Sequence, residues 1–293
     1  MAANVFPLTL GSSNEDTRPK LGDGSDTYQG DLLMNSISAS FRQRLRAPGR
    51  ALLGTFVKSP SPQAIEIFGD LGFDFVIIDA EHAPLDRGTI DHLLLAAKAS
   101  GIAALVRVAE TSASHILSPL DSGAAGVIAP HIDSVEKARA LVAESHYSKG
   151  RGFSNSPRAG GYGQKTVWQH VDQADDEVIV IGMIEDPKAV TNIEEILSVD
   201  GLDAVFIGRG DMAVALNDRQ PGAPVVQEAT SKVISAAKKA GKTVFLLAAT
   251  PQEAAEFYAQ GVGAFVISSD QGFLRTAAAN ALSAFTDSDS ART

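Results

Sequence analysis

Between Ala51 and Phe285 the chain alternates between short unbroken apolar runs and longer stretches whose apolar residues recur at helical spacing. The short runs are Ala51–Val57, Phe73–Ile78, Ala103–Val108, Gly126–Ala129, Val178–Ile184, Ala204–Ile207, Thr243–Leu247 and Ala264–Ile267. Most are rich in β-branched or aromatic residues and lack polar alternation, as parallel strands buried on both faces do. Helical spacing is expected over Ser61–Leu71, Gly88–Ser100, Ser134–Ser145, Pro187–Val199, Pro224–Ala240, Pro251–Gln260 and Gln271–Phe285. Several of these open at Pro or a Ser/Thr/Asp cap and close at a glycine such as Gly72, Gly101, Gly241 or Gly261. Eight strand–helix units predict an α/β fold, a (β/α)8 TIM barrel, with a doubly wound open sheet as the alternative. Residues 1–34 are polar and without period and predict a flexible N-terminal tail, leaving 35–293 as the barrel domain. Ser36–Arg46 predicts a short basic helix leading into it. The Gly-rich stretch Ser148–Lys165 breaks the rhythm. It reads either as a lid over an anionic substrate or as a flexible crossing.

Composition narrows the class. Of 293 residues 44% are hydrophobic, enough for a large core, and no cysteine is present. Disulfides, thiolate nucleophiles and Cys-ligated metals are thereby excluded. A net charge of −10 without a basic run argues against nucleic acid or an anionic membrane as partner, while leaving an anionic small substrate open. No apolar stretch reaches the length of a membrane helix, and the first residues lack the pattern of a secretion signal. A cytoplasmic protein is expected.

The chemistry is concentrated where the strands end. The stretch FDFVIIDAEHAP stops an apolar run on Asp79, Glu81 and His82. Later runs end on Arg107, on Glu185-Asp186-Pro187, on Gly208-Arg209-Gly210-Asp211 and on Ser268-Ser269-Asp270. In a barrel these residues converge on the C-terminal mouth, where ligands bind. Arg107 interrupts a core strand, so its guanidinium must meet an anion. His82 is a candidate acid or base, with Asp79 three positions earlier to orient it. Glu185 and Asp211 are candidate oxygen ligands for Mg2+ or Mn2+, with Co2+ admissible; singly, each also reads as a helix cap. Lys58 is the one lysine placed for a Schiff base, although nothing around it argues for that. The other histidines, His131 the least clearly, read as surface or packing residues. No phosphate-binding glycine motif occurs.

Taken in order, GFDFVIIDAEHAP, LVR, LDSGAAGVIAP, RGFSNSPRAGGYG, IGMIEDPKAV and VDGLDAVFIGRGDMA resemble the metal-dependent pyruvate aldolases of the HpcH/HpaI and citrate-lyase-like group. The resemblance runs from Gly54 to about Leu282. It implies metal ligation by Glu185 and Asp211, carbonyl binding by Arg107, and His82 as base beside Asp79. It also implies carboxylate binding by the N–H groups near Gly210 and Asp211, and an Asp121 that joins the histidine across a subunit boundary. A homohexamer, a trimer of dimers exchanging the last helix, is implied as well. The substrates so implied are a 2-keto acid and an aldehyde, with oxaloacetate-type decarboxylation or another enolate addition on the same site as the alternative. A barrel retaining ligand binding alone is the reading from a different class. Met183 stands where the group commonly has Gln, and GRGDMA replaces its GPxDLS-like turn, so substrate identity stays open.

Overall fold

The computed structural model describes residues 30–46, 49–220 and 223–290, and its eight strands close into an all-parallel barrel in chain order. The strands are β1 (Leu52–Val57), β2 (Phe75–Asp79), β3 (Ala103–Arg107), β4 (Gly126–Ala129), β5 (Ile179–Ile184), β6 (Ala204–Ile207), β7 (Thr243–Leu247) and β8 (Ala264–Ser269). The helices before β5 are α1 (Gly30–Arg46), α2 (Pro62–Asp70), α3 (Arg87–Ala99), α4 (Ala113–Asp121), α5 (Val135–Ser145) and α6 (Val167–Glu177). Those after it are α7 (Pro187–Thr191), α8 (Ile193–Leu197), α9 (Arg209–Ala215), α10 (Pro224–Ala240), α11 (Pro251–Gln260) and α12 (Asp270–Ser290). The expected Pro187–Val199 helix is therefore two short ones meeting at Asn192. The expected tail lies outside the described residues as far as residue 29, and the basic helix begins at Gly30 rather than Ser36.

Two cores follow from the strand pleat. One, between strands and helices, holds the outward-facing Val76, Ile78, Val180 and Val205. The other fills the barrel. Within it Phe41 of α1 packs on Phe75 at 5.5 Å, Phe75 on Phe245 at 5.4 Å, Phe245 on Phe206 at 6.5 Å and Phe206 on Phe56 at 6.1 Å. This column of rings runs from a helical plug at the N-terminal end to the opposite mouth. It makes the mouth the floor of a site rather than the entrance to a pore.

Buried acids lock the plug. Asp203 accepts from Arg42 Nη2 at 2.8 Å, and Asp74 accepts from Arg44 at 2.5 Å, from Arg50 at 2.7 Å and from the Leu53 N–H at 2.9 Å. Burial pushes the Asp74 carboxyl up, yet Arg50, the Leu53 N–H and Arg44 outweigh it and leave it below the usual range. A depressed folded pKa stabilises the fold above the unfolded carboxylate pKa of about 4, and that stability is lost as pH falls through the folded value. Asp74→Asn should cost about 2 kcal/mol in urea unfolding at pH 7. The gap to the wild type should close in strongly acidic buffer.

Candidate active site

The inward positions of adjacent strands build the site from the column upward. On β2 these are Phe75, Ile77 and Asp79; on β3 they are Ala103, Leu105 and Arg107, and Asp79 pairs in register with Arg107. Asp79 is fully buried, and Arg107 is 6% exposed. Arg107 Nε and Nη2 donate to the two Asp79 oxygens at 2.9 and 2.7 Å. The remaining Nη1 lies 3.2 Å from Glu81 Oε2 and 4.0 Å from the Met183 sulfur. The Phe56 ring sits 4.8 Å from the guanidinium carbon. Lys58 Nζ completes the group, 3.2 Å from Asp79 Oδ2. Burial raises the Asp79 carboxyl, but Arg107, the His82 N–H and Lys58 together hold it below its ordinary value. The arginine's necessary anion is thus Asp79, with Glu81 second. Asp79 meets His82 through the backbone N–H at 3.2 Å and not through the ring. The His82 imidazole is instead half exposed, its Nε2 3.8 Å from Glu81 Oε2.

The second half of the site lies across the mouth on β5 and β6. Glu185 follows β5 and is 3% exposed. A Cβ on Gly208 would stand 2.7 Å from Glu185 Cβ and 2.8 Å from its Oε2, so only glycine admits this carboxylate. Glu185 Oε1 accepts from the His131 N–H at 2.8 Å. His131 attains this by a left-handed backbone, φ 54°, which is costly for a non-glycine residue and concentrated at functional sites. Its Nδ1 lies 3.0 Å from Asp186 Oδ2, and that contact raises the imidazole pKa. His131, read from the sequence as a surface or packing residue, is exposed at its ring and touches the Glu185 carboxylate through its backbone. The Glu185 carboxyl is raised, first by burial and further by the charges of Glu81 and Asp211, which exceed the relief from His131.

This corner gathers carboxylate oxygens and excess negative charge. A glycine cradle, a buried acid pushed toward protonation and the nearby charge of Asp211 fit a hard divalent cation better than a zinc-type set. Among the described residues no three His, Asp or Glu side chains enclose a common point. Two protein carboxylates with further oxygens from substrate and water remain a usual arrangement for Mg2+. Beside Arg107 and Asp211 a cavity of about 600 Å3 extends between Met183, Phe206, Leu247 and the start of α10. Arg209 lies along its wall, donating to Glu253 Oε1 at 2.7 Å and to the Leu247 carbonyl at 2.8 Å.

Asp121, at the end of α4, pairs with Arg151 at 2.6 Å within the chain. The Gly-rich loop directs Arg151 to Asp121 and Arg158 to Asp91 at 2.8 Å, so both its arginines are engaged by acids of the outer helices rather than presented to the mouth. Asp211 and Gly210 lie in the first turn of α9, beside the cavity.

The family model for HpcH/HpaI aldolase/citrate lyase matches residues 52–277. The chain is 33% identical over 232 residues to the 2-dehydro-3,6-dideoxy-6-sulfogluconate aldolase of Pseudomonas putida, spanning 78% of this chain and 90% of that one. It is 34% identical over 239 residues to the hydroxypyruvate/pyruvate aldolase of Rhizorhabdus wittichii, spanning 78% and 92%. The crystal structure of the citrate synthase SbnG aligns with a TM-score of 0.77 at 29% identity, over 85% of this chain and 98% of that one. A family member from Burkholderia cenocepacia aligns with a TM-score of 0.78 at 28% identity, over 84% and 99%. A charged mouth on a closed barrel, matched along nearly its whole length, places the chain in the HpcH/HpaI aldolase/citrate lyase family as a carbon–carbon lyase.

Proposed function

We propose that the chain is a metal-dependent aldolase that forms and breaks the bond between a pyruvate enolate and an aldehyde, acting on 2-keto-4-hydroxy acids. The observation that carries this reading is the buried Asp79–Arg107 pair together with the raised Glu185 carboxyl near Asp211, Arg107 and Asp211 both lining a cavity of about 600 Å3. Glu185 and Asp211 would hold Mg2+ or Mn2+, which supplies positive charge to a bound keto acid. Arg107, fixed by Asp79, turns Nη1 toward the keto oxygen, where negative charge develops as the C3–C4 bond breaks. N–H groups at Gly210 and Asp211 hold the substrate carboxylate. His82, through a water, takes the 4-hydroxyl proton as the aldehyde leaves and returns a proton to C3. Phe56, Met183, Phe206 and Leu247 line the apolar side and keep bulk water from the enolate.

A second reactant has room in the 600 Å3 cavity, which favours aldol chemistry over decarboxylation of a lone keto acid. The test is a panel of aldehydes offered with pyruvate and Mg2+ or Mn2+. Aldehyde-dependent consumption of pyruvate supports the aldolase; release of CO2 from oxaloacetate as the sole activity contradicts it.

The same reading includes a homohexamer built by helix exchange, with a neighbour's Asp121 completing the His82 site. Residues 274–286 of α12 are all exposed, and Leu274 and Leu282 are 71% and 67% exposed. A helix with no buried face over residues 274–286 needs another surface. Ile67, Leu71 and Leu95 on and beside α2 and α3 offer one. Changing Leu274 and Leu282 together to Glu should shift the assembly to smaller species in light scattering. Unchanged mass would remove α12 from the interface. No helix among the described residues is long and apolar enough to cross a membrane, and a cytoplasmic location is part of the proposal.

A further inference from the structure

We infer that Lys58 is a positioning residue for the keto-acid site, its ammonium balancing Asp79 so that Arg107 keeps its positive field for the substrate. This rests on the enolate reading above. Arg107 faces two carboxylates, Asp79 at 2.7 Å and Glu81 at 3.2 Å. Without another cation the cluster would carry one excess negative charge, turned toward an anionic keto acid and a still more electron-rich enolate. Lys58 Nζ, 3.2 Å from Asp79 Oδ2, removes that excess.

The placement is built rather than incidental. The N–H groups of Lys58 and Ser59 donate to the two oxygens of Asp270, each at 2.9 Å, which pins the end of β1 to the start of α12. The Phe56 ring lies 5.6 Å from Lys58 Nζ and 4.8 Å from the Arg107 guanidinium, so one ring face region serves both cations. The Lys58 side chain is 27% exposed, and its charge stays within the mouth. Two cations this close are tolerable because the fully buried Asp79 carboxylate lies between them. A Schiff-base lysine would need a neutral amine directed at substrate; this ammonium is directed at a carboxylate instead.

The test uses the full-length protein with Mg2+ and follows exchange of pyruvate methyl protons in Lys58→Met and Lys58→Arg. Methionine keeps the unbranched bulk, and circular dichroism checks the fold of both variants. Lys58→Met should raise the pyruvate KM about tenfold, from the lost attraction for the anion, and lower kcat about tenfold, from the lost field at the enolate. Lys58→Arg should stay within about threefold of the wild type on both, since it restores charge but not shape. A Lys58→Met protein with wild-type constants would overturn the inference, as would a Lys58→Arg protein that falls as far as Lys58→Met. Borohydride trapping of pyruvate on Lys58 would overturn it too, by making the lysine a nucleophile. Absence of exchange in the wild type would instead remove the enolate reading and this inference with it.

Discussion

Arg107→Ala should lower pyruvate proton exchange by about a thousandfold or more, because it removes the donor aimed at the developing enolate. It also strips the fully buried Asp79 of its bidentate partner, leaving Lys58 as the nearest cation. Breaking a buried pair from one side costs about 3–5 kcal/mol, so the variant should unfold at markedly lower urea. The two effects separate in the double variant Asp79→Asn, Arg107→Ala. Without a buried charge to strand, it should recover much of the stability and none of the exchange. Recovery of activity in the double variant would mean that Arg107 serves the fold alone.

Glu185→Gln should abolish metal-dependent turnover, a fall of about a thousandfold, while the metal-free protein becomes more stable by about 1 kcal/mol. The sign follows from the raised carboxyl. An acid whose folded pKa lies above its unfolded value subtracts stability as pH climbs through that interval, and a neutral amide does not. Thermal melts in EDTA at pH 7 should therefore rank Glu185→Gln above the wild type, and melts in excess Mg2+ should reverse or close the gap. Gly208→Ala tests the same corner by shape, since its methyl group would meet Glu185. It should lose turnover while keeping both carboxylates. Normal activity in either variant would remove Glu185 from the site.

Much of the barrel was legible because its strands are buried on both faces. The runs Gly126–Ala129, Ala204–Ile207 and Thr243–Leu247 are the strands to the residue. β2 starts two residues later than its apolar run, at Phe75, and extends onto Asp79, since a charged residue ends hydrophobicity before it ends the ladder. α4 escaped notice because Pro119 lies inside it. α6 escaped because it is polar with His170 as its buried residue, although Thr166 and Gln169 form a capping box that announces its start. Asp79 and Arg107 could be found because charge inside a core strand demands a partner. Lys58 and His131 drew notice without a partner: one meets a carboxylate on the neighbouring strand, the other stands in a left-handed turn that no pattern of hydrophobicity encodes. Asp121 was named through resemblance alone, and in the single chain it belongs to Arg151.

The most direct measurement is exchange of pyruvate methyl protons for deuterium, followed by NMR, first with Mg2+ or Mn2+ and then with EDTA. The account predicts exchange that needs the cation, stops with the chelator, returns when metal is restored, and is absent from Arg107→Ala. Exchange that continues at the same rate in EDTA, or none with any divalent cation, would contradict it.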